Sequence, residues 1–300
     1  MDYKKISKNF KYNLAYLGLN LSSLIVGLLN NKLRNVIAKY FADLGWFFAK
    51  KLRLIAIYNI KSAFRDKTND EANFIAKSCF EYLAKSAWEM LAIIKKPQVV
   101  DSIIEIQGEE NLKTALLKGK GVIALSAHFG NFPLLMTYFA RRGYLVNCMM
   151  RRMRDERVNN YFEIRRNALA VKSIYTKPQD LCIKQSIEVL RKNEILFVQL
   201  DQHFGSSGAV TVNFFNQPAQ TATGPIILSL RTDAIILPLF IVRRSDDTHS
   251  VIIEQPFILE KFDDYNKTLQ VNIQRITEII EKYIRQYPAE WGWIHRRWKK

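Results

Sequence analysis

The stretch from Gly121 to Pro133, GVIALSAHFGNFP, decides the fold. Its first six residues carry no charge and form a short apolar run, the signature of a buried strand. Ala127-His128-Phe129-Gly130-Asn131-Phe132-Pro133 follow directly, so a histidine and a glycine stand at that strand's carboxyl end. A second run, Ile195 to Leu200 (ILFVQL), ends the same way in Asp201-Gln202-His203. In open α/β sheets, binding and catalysis gather at the carboxyl ends of strands.

Short β-branched runs and helical stretches alternate outward from these two strands. Strands are expected at 103–106, 145–150, 173–175, 235–242 and 249–253, and helices at 111–117, 132–140, 155–169, 180–191, 224–230 and 269–287. The alternation predicts an α/β fold, a mixed sheet layered with helices. Before Pro97 the text is helical throughout. Residues 70–95 repeat apolar positions at spacings of three and four, with Asp70 and Glu71 suiting the positive end of the helix dipole. We read residues 1–97 as a helical region and 98–300 as the α/β core, together one functional domain.

The apolar run from Leu14 to Leu29 is interrupted by Asn20, Ser22 and Ser23 and falls short of the roughly 18–20 apolar residues of a membrane span. No small-residue cleavage site follows it. Lys32 to Arg53 keeps one helical rhythm, with Leu33, Val36, Ile37, Tyr40, Phe41, Leu44, Phe47 and Phe48 set against Lys32, Arg34, Lys39, Lys50, Lys51 and Arg53. Two basic, aromatic-bearing amphipathic helices in succession favour attachment to a membrane, with the amino-terminal helix lying on it, anchored in it or spanning it, over packing on their own domain.

The chain has 300 residues, 48% of them hydrophobic and 24% charged, which excludes disorder as its main state. Lys and Arg number 45 against 28 Asp and Glu, a net charge of +17 that calls for an anionic partner. Nucleic acid is disfavoured, because no recognisable nucleic-acid-binding motif accompanies the charge and the amino terminus is apolar. Three scattered cysteines build neither a disulfide framework nor a zinc site, and the four histidines do not cluster as metal ligands. A GxSxG elbow and a P-loop are both missing, so neither a covalent serine nor nucleotide chemistry is indicated.

What remains is proton transfer by a histidine and a carboxylate, with the substrate supplying the nucleophile. His128 could act as general base or merely cap its strand. Asp201 could hold an imidazole in one tautomer or cap the following turn. The run Met150-Arg151-Arg152-Met153-Arg154, with Arg165 and Arg166 further on, reads either as a phosphate site or as a solvated face. Trp291, Trp293 and Trp298 among Arg296, Arg297 and Lys299 suit a membrane-interface belt, or else lock the chain's end against the core.

Several stretches together resemble the lipid A biosynthesis acyltransferase family, the late lauroyl and myristoyl transferases of Gram-negative bacteria. They are Gly119-Lys120-Gly121 leading into Ser126-Ala127-His128-Phe129-Gly130-Asn131, then Asp201-Gln202, Gly208 to Phe215, Thr223-Gly224-Pro225, Pro238, and the tail from Pro288 to Lys299. Arg53, Asn59 and Glu89 agree less sharply. The resemblance covers nearly the whole chain in the family's order. It implies a glycerolipid-acyltransferase-like core at the cytoplasmic face of the inner membrane, monomeric, with an acyl carrier protein thioester as donor and no cofactor or metal. The acceptor would be a hydroxyl of a phosphorylated glycolipid, a lipid A precursor.

His128 matches the histidine of the family's HX4D/E motif and would be the base. Gly130 and Asn131 would serve the oxyanion, while Arg151, Arg154, Arg165, Arg166 and Gln202 would bind substrate. The motif's acid is replaced by Pro133, and Asp201 is the substitute on offer. A different glycolipid acceptor, or an inactive lipid-binding relative, are the alternatives that this departure raises.

Overall fold

The protein is described by a computed structural model covering residues 3–205 and 208–298. Four helices open the chain: α1 (Tyr3–Val26), α2 (Asn31–Phe48), α3 (Lys50–Ala63) and α4 (Asn69–Lys95). Then follow α5 (Val100–Ile103), β1 (Ile104–Gln107), α6 (Glu109–Leu117), β2 (Val122–Ser126), α7 (Phe132–Arg141), β3 (Val146–Met150), α8 (Glu156–Ala168) and β4 (Val171–Tyr175). The chain continues through α9 (Gln179–Arg191), β5 (Ile195–Gln199), β6 (Ala209–Phe214), β7 (Gln217–Ala222), α10 (Gly224–Thr232), β8 (Ile235–Arg243), β9 (His249–Ile253) and α11 (Tyr265–Gln286).

Seven strands form one sheet in the order β1-β9-β8-β2-β5-β3-β4, parallel at every pairing except β8 with β9. All five residues of β2 are buried, as the uncharged run requires of a central strand covered on both faces. Successive β2 side chains point to opposite faces. Ile123 and Leu125 join one apolar cluster, under α3, α4, α10 and α11, and Val122 and Ala124 join another, under α6 and α7. On α11, Leu269, Ile273, Ile276, Ile280 and Ile284 recur at helical spacing and fill the first cluster.

The helical region does not stand apart from the sheet. Ala56, Ile60, Cys79 and Phe80 share a cluster with Phe214, Trp291 and Trp293. Helix α4 is begun by a capping box, in which the Thr68 side chain accepts from Glu71 N while the Glu71 carboxylate accepts from Thr68 N.

Three local expectations change. The single helix read over Lys32 to Arg53 is two, α2 and α3, broken at Ala49. There the Arg53 guanidinium donates to the carbonyl of Trp46 (2.9 Å) at the end of α2. Arg34, read among the basic residues flanking the apolar face, is buried. The region 209–222, taken only as part of the resemblance, is an antiparallel hairpin whose turn residues Phe215 and Asn216 both have positive φ (54° and 55°), the geometry of a type I′ turn.

Candidate active site

Parallel pairing sets Ser126 of β2 beside Gln199 of β5 and Met150 of β3 beside Tyr175 of β4, so these four strands end at one edge of the sheet. Just past that edge stand His128 and Asp201. Asp201 is fully enclosed, and its Oδ1 accepts from both the backbone N–H and the Nδ1–H of His128, each at 2.9 Å. Only Nδ1–H can donate to a carboxylate, so the neutral ring carries its proton there and leaves Nε2 free to accept one. The His128 side chain keeps 35% of its surface open, so that nitrogen is reachable. The ring of Phe132 packs edge-on against it, centroids 5.2 Å apart.

Burial works against ionisation of Asp201, but the His128 charge and hydrogen bonds more than offset it and hold the carboxyl far below its usual range. Burial likewise opposes the His128 cation, and the Asp201 charge and hydrogen bond outweigh it, raising the imidazole's pKa. Both shifts favour the charged pair. The arrangement makes a base whose conjugate acid is stabilised as it forms.

Sequence reasoning missed the group that holds Asp201 from the other side. The Nε1–H of Trp291 donates to Asp201 Oδ2 at 2.8 Å. Residues 290–292 lie antiparallel to 128–130: Gly292 N donates to His128 O (3.1 Å) and Gly130 N to Glu290 O (2.9 Å). The helical region fastens this segment in turn. Cys79 donates to Trp291 O (3.1 Å), and Asn59 to the carbonyls of Trp293 (2.8 Å) and His295 (2.7 Å). Arg297, buried nearby, donates to the carbonyls of Gln202 and Gln220. The Trp and Arg residues of the tail were visible in the sequence as aromatic-basic clustering, which carries no sign of an indole aimed at a carboxylate.

The membrane-belt reading of these tryptophans is corrected. Trp291 and Trp293 are both wholly buried, and Trp298 stacks on Phe214.

Gly130 and Asn131 also take other roles than the oxyanion one. The Gly130 N–H is bonded to Glu290 O, its φ is +56°, and a Cβ there would lie 2.0 Å from Ile241 O, so only glycine fits. Asn131 is buried, caps α7, and donates to Glu89 Oε2 at 2.8 Å. Pro133 lies in the first turn of α7, where its missing N–H costs nothing. Beneath the turn, Glu89 accepts both arms of the Arg243 guanidinium at 2.7 Å each and the Nε2–H of His249 at 3.1 Å. This buried cluster joins α4 to β8, β9 and the turn after His128.

The predicted basic residues divide. Arg151 and Arg154 are exposed in the loop after β3, at the same sheet edge as His128. Arg165 lies over the Tyr161 ring at 3.3 Å and donates to Tyr161 O, and Arg166 donates to Ser173 Oγ, so both are partly engaged within the protein. The Gln202 side chain is exposed beside Asp201, and its backbone carbonyl is taken by Arg297. Among the described residues no group of three His, Cys, Asp or Glu is placed to hold a metal.

Several acyltransferases resemble this chain in sequence. The lipid A biosynthesis palmitoleoyltransferase of Escherichia coli (strain K12) is 24% identical over 265 residues, covering 84% of this chain and 80% of that protein. The lauroyltransferase of the same organism is 23% identical over 256 residues, with the same coverage. A phosphatidylinositol mannoside acyltransferase of Mycobacterium tuberculosis is 22% identical over 202 residues, covering 64% of this chain and 59% of its own length. The family model described as bacterial lipid A biosynthesis acyltransferase matches residues 2–300, and the chain therefore belongs to that family.

Proposed function

We propose that the chain moves a fatty acyl group from the thioester of an acyl carrier protein to a hydroxyl of a phosphorylated glycolipid, a lipid A precursor, with His128 as general base. The observation that carries this reading is the His128–Asp201 pair, which supplies the carboxylate partner that Pro133 cannot. Nε2 of His128 takes the acceptor hydroxyl's proton while that oxygen attacks the thioester carbonyl carbon. The tetrahedral oxyanion then collapses, the carbon–sulfur bond breaks, and the imidazolium returns the proton to the leaving thiolate. Asp201 stabilises the imidazolium throughout and is not itself protonated.

An acidic carrier protein and a phosphorylated acceptor both complement the net charge of +17 and the exposed Arg151 and Arg154 at the site's edge. Leu14, Leu17, Leu21, Leu24 and Leu28 stand exposed along one face of α1 and the turn after it, and Phe47 and Phe48 at the end of α2 are about three-quarters exposed. Such a row of exposed apolar side chains supports docking onto the cytoplasmic face of the inner membrane. Among the described residues no helix is long and apolar enough to cross a membrane, so the docking we propose is in the plane of the surface.

An acceptor of the phosphatidylinositol mannoside kind is the second reading, favoured by the mycobacterial relatives. The test is incubation of the full chain in membranes with labelled acyl carrier protein thioester and each acceptor, followed by mass spectrometry. Acylated lipid A precursor with wild type and none with His128→Ala is expected. Transfer that survives His128→Ala would remove the proposed base.

A further inference from the structure

Away from the dyad, a cavity of about 510 Å³ opens at the elbow between α1 and α2, closed on one side by the end of α4. Its polar wall is made of Asn30, Asn31, Lys32, Arg34 and Lys96. Three of these are cations, and no Asp or Glu lines the space. The first turn of α2 faces it, as do the carboxyl ends of α1 and α4, so helix ends bring partial charge of both signs and the three cations alone set the sign of the space.

Arg34 is the unusual member. It is only 7% exposed, a degree of burial that arginine normally shows only when ion-paired. Its side chain donates to Asn31 Oδ1, and its Nε–H is buried with no partner. The carboxylate whose charge reaches this guanidinium is Glu89, whose two oxygens are already taken by Arg243, His249 and Asn131. A buried guanidinium without a carboxylate, a free N–H and two flanking lysines together make an incomplete anion site.

We propose that this elbow binds a phosphate group, with Arg34 as the buried donor and Lys32 and Lys96 closing over the outer oxygens. Leu24 and Leu28, 63% and 89% exposed, border the elbow, so its mouth lies where an apolar face meets a charged one. That boundary matches the depth of a lipid phosphate beneath its headgroup. Ala92 on α4 and Lys96 just past its end follow Glu89 by three and seven residues, about 5–10 Å at 1.5 Å per residue. A phosphate held there would brace the same helix that supports the turn after His128. The site is separate from the acyl-transfer reading and does not depend on it.

The test uses the full chain in detergent and on vesicles. Lys32 and Lys96 are exposed, so Lys32→Gln with Lys96→Gln leaves the fold intact, and Lys39→Gln with Lys50→Gln removes equal charge elsewhere on the same surface. On phosphatidylcholine vesicles doped with phosphatidic acid, the elbow variant is expected to bind about tenfold or more weakly than the control variant, which loses only the nonspecific attraction of two surface lysines. Arg34→Gln should match the elbow variant if it folds. A second arm follows Tm in inorganic phosphate against chloride at equal ionic strength. A rise in wild type that the elbow variant lacks shows that the free ion suffices, whereas a vesicle effect alone assigns the site to a lipid headgroup. Equal weakening of elbow and control variants on vesicles, with no Tm response to phosphate, overturns the proposal. Acyl transfer by wild type in the same preparation reports separately on the catalytic reading.

Discussion

The Trp291 indole N–H and the His128 ring grip opposite oxygens of one carboxylate, Asp201, at 2.8 and 2.9 Å. The carboxylate therefore has no freedom to rotate away from the imidazole. That constraint comes from Trp291, which the sequence places 90 residues beyond Asp201.

Asp201→Asn keeps the size of the side chain and removes the charge that stabilises the imidazolium. A fall in kcat of roughly 10²–10⁴, with KM little changed, is expected in an acyl-transfer assay. Near-wild-type kcat in a folded Asn variant would detach Asp201 from the chemistry.

Trp291→Phe removes one donor to Asp201 and keeps most of the buried ring. Losing a hydrogen bond to a buried charge costs about 1–3 kcal/mol, so kcat should drop by about ten- to a hundredfold. The His128 titration seen by NMR should shift in the same variant. An unchanged titration with reduced stability alone would make Trp291 a packing residue.

In the proposed mechanism activity needs the neutral imidazole, because a protonated Nε2 cannot accept a proton. With its pKa raised by Asp201 above the ordinary 6.5, kcat/KM should climb with pH through a midpoint above that value, and the midpoint should fall in Asp201→Asn. For stability the signs oppose. The imidazolium's contribution is complete below its unfolded pKa and is lost as pH rises through the raised folded value, whereas the carboxylate's contribution is present above 3.8 and is lost as pH falls through its lowered folded value.

Glu290 titrates the other way. Burial pushes its carboxyl from 4.5 up to about 7, against the backbone hydrogen bond and charge of Arg243 and with the help of Glu89. The folded state then binds the proton more tightly than the unfolded one, so stability should decline between about pH 4.5 and 7 and level off above, by about 3 kcal/mol in all. Glu290→Gln can still accept from Arg243 N and should flatten this slope in denaturant titrations.

Glu89→Ala would strand the Arg243 guanidinium and His249 in the interior. Leaving a buried charge unpaired costs about 3–5 kcal/mol, to be read as a shift in denaturant midpoint. Glu89→Gln should cost less, because the amide oxygen still accepts from Arg243.

Much of the fold was legible because periodicity is a local property. The runs at 121–126 and 195–200 lack charge in the way central strands must, and the helices of the core carry apolar residues at three and four spacing. The hairpin at 209–222 went unread as strands, although Val210, Val212 and Phe214 alternate before Asn216. The split of α2 from α3 went unread because the apolar pattern runs on through Ala49, and the nearest glycine, Gly45, lies four residues earlier inside α2. For the site, His128 and Asp201 were found because strand ends can be read from the chain. The partners of Gly130 and Asn131 went unread because nothing local shows that the Gly130 N–H meets Glu290 and the Asn131 side-chain amide meets Glu89.

By itself the sequence determined an α/β chain with a helical, basic and apolar-faced beginning, a histidine and an aspartate at two strand ends, and a proline where a family acid is expected. These follow from composition and short-range spacing, which survive without any knowledge of the fold. Only the tertiary structure decided that the two strands are neighbours, that Asp201 reaches Nδ1 of His128, and that Trp291 closes the other side. Those contacts span 73 and 90 residues of chain, and hydrogen bonds at such separation are set by which elements pack together.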